Sequence, residues 1–547
     1  MKHLLLPLLL TLPATTWADD FYTAFPVTAA TVFGQGALVS AQGTVTVPQG
    51  QHQVYLALPQ SMLLNTTPRF AVAGATPVSV AFLRDLPTQA KAFFTPAQTE
   101  AQADVDRLDQ ALAELRASQA ALQGEQAGLQ VQFTYLQSIK PGGTDAAQSL
   151  EDLQAIAGFL PGALSDNRAA QGALSLQLKA AQKETADLTN QLTLAQTKLA
   201  NLGVPQSDWA VAKLTVNADA DTDVTVLSES FVAEANWQIR YDARLDEDAG
   251  KITLDRRALV SQFTGAAWVD AAITLSSAEP YQRLQPTIPD RDVVHLLEPP
   301  KATVRTLSKG VSAEADMMMA APAQRMAGAE FAAVAGDFNG IEVTYAIPTP
   351  TTIGGGNSGA EQINLAPITL DADVDRYASP RRDETAFVRA MATNTTGEPI
   401  LPGTTIFYRG DTLIGNGSMP AMAVNGKETM YFGPDDTLPL EMRFLSELKG
   451  DTGVFTKSNT RSEELAFIVE NIGSNRRTVT VGYALPITVD EDVEVDVTAQ
   501  PRPDVQDVKG VKGSSEWVLT LAPGARETVQ IGVDITWPEG QDIRWRP

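Results

Sequence analysis

From about Val27 to Leu86 apolar side chains recur at every second position, with breaks at Gln35-Gly36 and at Pro48-Gln49-Gly50. A period of two sends alternate side chains to opposite faces of a strand, so this stretch predicts short strands joined by tight turns. Pro87 and Pro96 mark a change of period. Thr95 reads as a helix cap, with Pro96 in the first turn, where a missing N–H costs nothing. Beyond it Val105, Leu108, Leu112, Leu115, Leu122, Leu129, Phe133 and Leu136 keep 3,4 spacing, with Gln119 and Gln126 at two seam positions. That pattern is a heptad seam.

"KPGG" at residues 140–143 ends the first seam, and a short apolar stretch ends at Pro161-Gly162. A second seam runs through Leu174, Leu178, Ala181, Thr185, Leu188, Leu192, Ala195, Leu199 and Leu202. Two seams of similar length separated by turn signals predict an antiparallel hairpin, a rod of about 60 Å at 1.5 Å per residue. A coiled-coil dimer is the other arrangement such seams allow. Setting a positions against d positions predicts facing residue numbers that sum to 307, so that Leu108 meets Leu199 and Leu115 meets Leu192. The hairpin returns the chain to its point of departure, which places the strands before Pro87 beside those after Pro205. At its tip Leu150, Leu153, Ile156, Phe159 and Leu160 fit one face of a short helix, a candidate partner-binding surface.

After Pro205 the alternation resumes and persists to the C-terminus. The predicted fold is mainly β with an α-helical coiled-coil hairpin: β-sandwich-like domains before and after a long antiparallel two-helix rod. The boundaries are a signal peptide at 1–18, an N-terminal β domain at 19–92, the hairpin at 93–204 and a C-terminal β-rich domain at 205–547, with room for two sub-domains. An Ala- and Met-rich stretch, about 310–340, lacks turn chemistry and a firm period, and reads as a surface loop.

Composition narrows the setting. The 547 residues carry 41 Lys plus Arg against 65 Asp plus Glu, a net charge of −24 with no basic block, which disfavours nucleic acid as a partner. "MKHLLLPLLLTLPATTWADD" has a lysine, a short apolar run and small residues at Thr16 and Ala18, the pattern of a secretory signal cleaved after Ala18. No later segment approaches about 20 consecutive apolar residues, so no transmembrane helix is expected. The absence of cysteine removes disulfides, thiolate metal sites, a thiol nucleophile and a lipoprotein anchor. The periplasm is the expected address, with secretion into the medium as the alternative.

Candidate chemistry is sparse. His52 and His295 are far apart in sequence, and no HExxH, GxSxG or phosphate-binding loop is present. Residues 354–359, "GGGNSG", read as a turn, and Ser446 with Lys449 is a bare S-x-x-K match without partner motifs. Met317, Met318, Met319 and Met326 would suit a soft metal, and equally an adaptable apolar loop. Asp219, Asp221 and Asp223, and likewise Asp371, Asp373 and Asp375, are i, i+2 carboxylates that share a strand face; they are the calcium candidates, with a solvated face as the plain alternative. A third acidic run spans 490–496. The sequence assigns no catalytic residue and implies no cofactor.

Several phrases together, "ATVFGQGALVSAQGTVTVPQGQHQVYLALP", "EANWQIRYDARLD", "QFTGAAWVDAAITLSSAEP", "NTTGEPILPGTTIFYRGDTLIGNGSMP" and "LAPGARETVQIGVDITWPEG", resemble the mucoidy inhibitor A family. The order of parts is similar too: signal, small N-terminal domain, coiled coil, large C-terminal domain of unknown function. One departure is Thr264-Gly265-Ala266-Ala267-Trp268, where the family usually reads like "TGEDW". The resemblance implies an influence on mucoid growth and brings no catalytic residues. The expected function is a non-enzymatic periplasmic scaffold or adaptor contacting an envelope or exopolysaccharide-machinery protein. The alternatives are a carbohydrate-binding module stacking sugars on Trp237, Trp268, Trp517 and Trp537, and a polysaccharide hydrolase built on paired carboxylates.

Overall fold

The computed structural model describes residues 19–64, 66–83, 90–139, 149–205, 209–280, 285–286, 334–355, 359–452 and 458–545. The signal-like segment 1–18, His295, the four methionines at 317–319 and 326, and 310–333 of the expected loop lie outside them. The described chain is mainly β, with one short helix, α1 (Ser61–Leu64), and two long ones, α2 (Pro96–Ser138) and α3 (Leu150–Leu202), that pack on each other. No helix among the described residues is long and apolar enough to cross a membrane.

Both long helices begin as their caps dictate. Thr95 Oγ1 accepts from Gln98 N while Gln98 Oε1 accepts from Thr95 N, a reciprocal capping box with Pro96 in the first turn. Ser149 and Asp152 repeat the device at the start of α3. Pro161 does not end a helix, contrary to the sequence expectation; it sits inside α3. Proline there removes one internal hydrogen bond, and the exposed position of Ala157, whose carbonyl it frees, leaves that group open to water.

The helices are antiparallel, but their register differs from expectation by one heptad. Gln98 meets Leu202, and Leu108 packs in one cluster with Leu192, so facing numbers sum to 300 rather than 307. Hydrophobic seams repeat every seven residues and therefore match equally well when slid by seven. Polar ties at the two ends select the register. At the base Gln98 Nε2 donates to the carbonyl oxygen of Gly203 at 2.9 Å. Farther out Asn167 Nδ2 donates to Leu129 O and Gln132 Oε1, and the Arg168 guanidinium lies 5.3 Å from the Phe133 ring centre.

The strands flanking the hairpin lie side by side, as the return of the chain requires. Gly50–Leu58 and Thr76–Leu83 both pair with Ala210–Ala218, and Ala37–Val47 pairs along its full length with Thr222–Val232. Val27–Val32 also runs parallel to Trp268–Ser276. Each sheet that holds an N-terminal strand thus also holds residues beyond the hairpin, and residue 92 bounds no separate sheet.

Two large hydrophobic cores result, beside smaller clusters at the hairpin base and along the hairpin. One runs from Phe25 to Phe432 and contains Val54, Leu214, Trp237, Trp268 and Tyr345; the other runs from Ala378 to Ile535 around Phe467 and Trp517. Two long strands serve both. Glu361–Ala378 pairs with Lys251–Gln262 and then, through residues 376–378, with Arg477–Ala484. Lys427–Thr452 pairs first with Thr385–Thr393 and then with Ser458–Glu470. At the crossing, buried Arg376 donates to buried Asp435 at 2.9 Å and also pairs with Glu247.

Candidate functional site

Three places gather chemistry: the hairpin base, a buried tyrosine–arginine–glutamate cluster and a cleft on the second core. At the base, α3 ends at Gly203 in the left-handed region, φ 60°. A Cβ on Gly203 would stand 2.1 Å from Gly265 O, so glycine is required by φ and by close approach. Ala267 N donates to Leu202 O and Gly355 N to Asn201 O. The turn at 264–268, where the chain departs from the "TGEDW" pattern, therefore seats the hairpin on the β body. Residues 354 and 355 belong to that seat; the remainder of the glycine-rich run at 356–358 lies outside the described residues. Beside it an apolar cavity of about 270 Å³ is lined by Phe25, Phe93, Trp209 and Ala266.

In the first core Arg256 donates to Glu398 Oε1 at 2.5 Å, to Ala366 O at 2.6 Å and to the Tyr345 hydroxyl at 3.3 Å. Burial pushes the Tyr345 hydroxyl up to about 12 and raises Tyr241 further, so both phenols stay protonated. Glu398 Oε2 is buried without a hydrogen-bond partner. The cluster ties the strands Lys251–Gln262, Val343–Ala346 and Glu361–Ala378 to Glu398.

The cleft lies where the chain leaves the strand Arg526–Pro538, turns at Gly540 (φ 84°) and folds back through residues 541–545. It encloses about 460 Å³ between this segment and the connection at 486–493. Val493, Val495, Ile535 and Ile543 line it with apolar surface, Trp537 and Trp545 give it aromatic walls, and Asp490, Asp492, Asp542 and Arg544 stand at its rim. The tail is pinned: Trp537 Nε1 donates to Gln541 O at 2.8 Å, Arg461 Nη1 donates to Trp545 O at 3.2 Å, and the Arg461 guanidinium lies 5.0 Å from the Trp545 ring centre.

The sequence-predicted residues fare unequally. Asp221 accepts from Gln49 N and Asp223 from Thr46 Oγ1, tying down the neighbouring turn. Asp371 pairs with Lys251, and Asp375 forms a two-point bridge with Arg389. With Asp219 and Asp373 they do not converge, and no group of three metal-ligating side chains occurs among the described residues. Ser446 and Lys449 lie three apart on a strand, hence on opposite faces, and Lys449 pairs with Glu447. His52 lies buried in the strand Gly50–Leu58, edge-on to Phe21. Of the four tryptophans offered as sugar platforms, Trp237, Trp268 and Trp517 are core. Trp537 lines the cleft with Trp545, which sequence reasoning missed and whose signal is an aromatic set between Arg544 and Arg546; the largely buried Trp237 also borders a pocket, with Gln238 and Leu401.

At the far end of the hairpin, the register sets Ser138, the last residue of α2, level with Gly162, so residues 150–161 of α3 continue past it by about 18 Å. Leu150 and Phe159 are 73% and 64% exposed there, and Val131 and Tyr135 on α2 are 70% and 68% exposed. Leu153, Ile156 and Leu160 are half-buried on the same helix.

Comparison with known proteins adds a relative and a family. The chain is similar to Protein F37C4.5 of Caenorhabditis elegans, 22% identical over 421 residues that span 73% of this chain and 74% of the relative. No solved structure matches the chain. The family model of a domain of unknown function, DUF4139, matches residues 227–539, which take in both long bridging strands, the junction at Arg376 and the cleft-forming strand Arg526–Pro538. With more than half of its length matched, the chain belongs to the DUF4139 family.

Proposed function

We propose that the protein is a non-enzymatic adaptor of the bacterial cell envelope, exported to the periplasm, in which paired β layers form a sandwich-like body and the hairpin is a rod that presents its far end to a protein partner. The observation that carries this reading is the set of large apolar side chains left exposed along the outer part of the hairpin, Leu150 and Phe159 on α3 and Val131 and Tyr135 on α2. Isolated exposed apolar residues are ordinary, and Leu176 and Leu194 are exposed nearer the base, but four on the outer part of a narrow two-helix element suit recognition by a partner that grips its far end. The signal-like N-terminus supports the address, and the likeness to the mucoidy inhibitor A family supports a link to exopolysaccharide output.

A photocrosslinking residue placed at position 159 in the exporting cell tests this. The expected result is one dominant crosslinked envelope protein, lost in Leu150→Glu and absent when the probe sits at the exposed mid-helix position 123. Equal crosslinking from both positions, or crosslinks only to second copies of this chain, would overturn the adaptor reading.

A further inference from the structure

The strand Glu494–Gln500 pairs on one side only, with Arg526–Pro538, and ends its sheet among the described residues. Its alternation is plain: Val495 and Val497 turn toward the second core, while Glu494, Asp496 and Thr498 are exposed on the other face. On that outer face Asp496 stands directly opposite Asp534, which accepts a hydrogen bond from Ser462 Oγ, so two like charges lie side by side. On the inner face Val495 opens into the cleft walled by Trp537 and Trp545. The rim carboxylates of Asp490, Asp492 and Asp542 form no ion pair among the described residues, and Arg544 is the one cation among the described residues that line the cleft. Arg461, behind Trp545, is engaged by Glu463 and Glu447 and does not neutralise it. Glu463 is buried and its second carboxylate oxygen has no hydrogen-bond donor.

We propose that this edge and cleft together form a docking site for an extended, basic segment of a partner protein. The segment adds as a strand beside Glu494–Gln500, making main-chain hydrogen bonds to the open edge. One of its Lys or Arg side chains enters the cleft, its stem on Val495 and Ile535 and its cation between the indoles and the rim carboxylates. Its neighbours on either side fall on the opposite face and meet Glu494 and Asp496. A second copy of this chain is a poor occupant, because the same edge would set Glu494 and Asp496 against themselves. An anionic polymer is excluded by the same charges. The proposal concerns the second core and does not depend on what the hairpin binds.

The test uses the full mature chain and a fluorescent peptide of consecutive arginines, its glutamate counterpart, and a neutral oligosaccharide. Saturable binding of the arginine peptide is expected, weakened by salt, with slowed amide exchange across residues 494–500. Trp537→Ala, Trp545→Ala and the double variant Asp492→Asn/Asp542→Asn should each weaken it by about tenfold, the scale of a lost desolvated cation–π or charge contact. The double variant Asp219→Asn/Asp373→Asn, equal in charge change but remote, should not. Binding that is insensitive to the tryptophan variants, or that falls equally with Asp219→Asn/Asp373→Asn, would reduce the effect to the general acidity of the chain and overturn the proposal. Binding of the oligosaccharide in place of the peptide, lost in Trp537→Ala, would make the cleft a sugar site and overturn it as well.

Discussion

The side-chain amide of Gln98 donates to the main-chain carbonyl of Gly203 at 2.9 Å, so one buried glutamine closes the first turn of α2 onto the last turn of α3. The same residue completes the Thr95 capping box through its Oε1. Cap, register and seat on the β body therefore meet at a single side chain.

Gln98→Ala should accordingly loosen the hairpin base more than the sheets. Loss of a cap bond and a buried tie predicts about 1–3 kcal/mol of destabilisation. Hydrogen exchange should quicken at residues 96–101 and 199–203 while strands such as Ala37–Val47 keep their protection; uniform loosening would contradict this.

The register predicts a crosslink. The chain has no cysteine of its own, so Leu108→Cys with Leu192→Cys should oxidise to an intramolecular disulfide, whereas Leu108→Cys with Leu199→Cys should stay reduced. Gel mobility under non-reducing conditions reads the result, and the reverse pattern would restore the register that sums to 307.

At the junction of the two cores, burial acts to raise the Asp435 carboxyl, but hydrogen bonds from Thr437 and Arg376 prevail and hold it below the usual aspartate value. A depressed carboxyl contributes stability that is fully present above the unfolded value, about 3.9, and is lost as the pH falls through the lower folded value. Urea unfolding followed into that acid range should show the decline, and Asp435→Asn should be less stable at neutral pH with a flatter acid limb. An unchanged acid limb in the variant would assign the decline to other groups.

These predictions draw on features of unequal legibility. The long helices were readable because caps and heptads are local: Thr95, Pro96 and the leucine spacing suffice. The register was not, because a seam of period seven cannot tell 300 from 307, and the discriminating groups, Gln98 and Asn167, are polar residues at its ends. Pro161 misled because a proline on an exposed helix face costs one hydrogen bond without forcing a stop. The pairing of strands across the hairpin followed from the return of the chain, whereas the parallel contact of Val27–Val32 with Trp268–Ser276 bridges more than two hundred residues and leaves no local trace. The cleft was half visible: Trp537 stood out by type, but its partner Trp545 reaches it only because the chain doubles back after Gly540.

The claim that the far end of the hairpin is the working surface is tested most directly by the double variant Leu150→Glu/Phe159→Glu. Both side chains are exposed, so the substitutions should leave export and thermal unfolding unchanged. Exopolysaccharide produced per cell is the measurement: the account predicts that the variant loses the parent's effect and matches a strain lacking the protein, whereas a variant that acts as the parent does would contradict it.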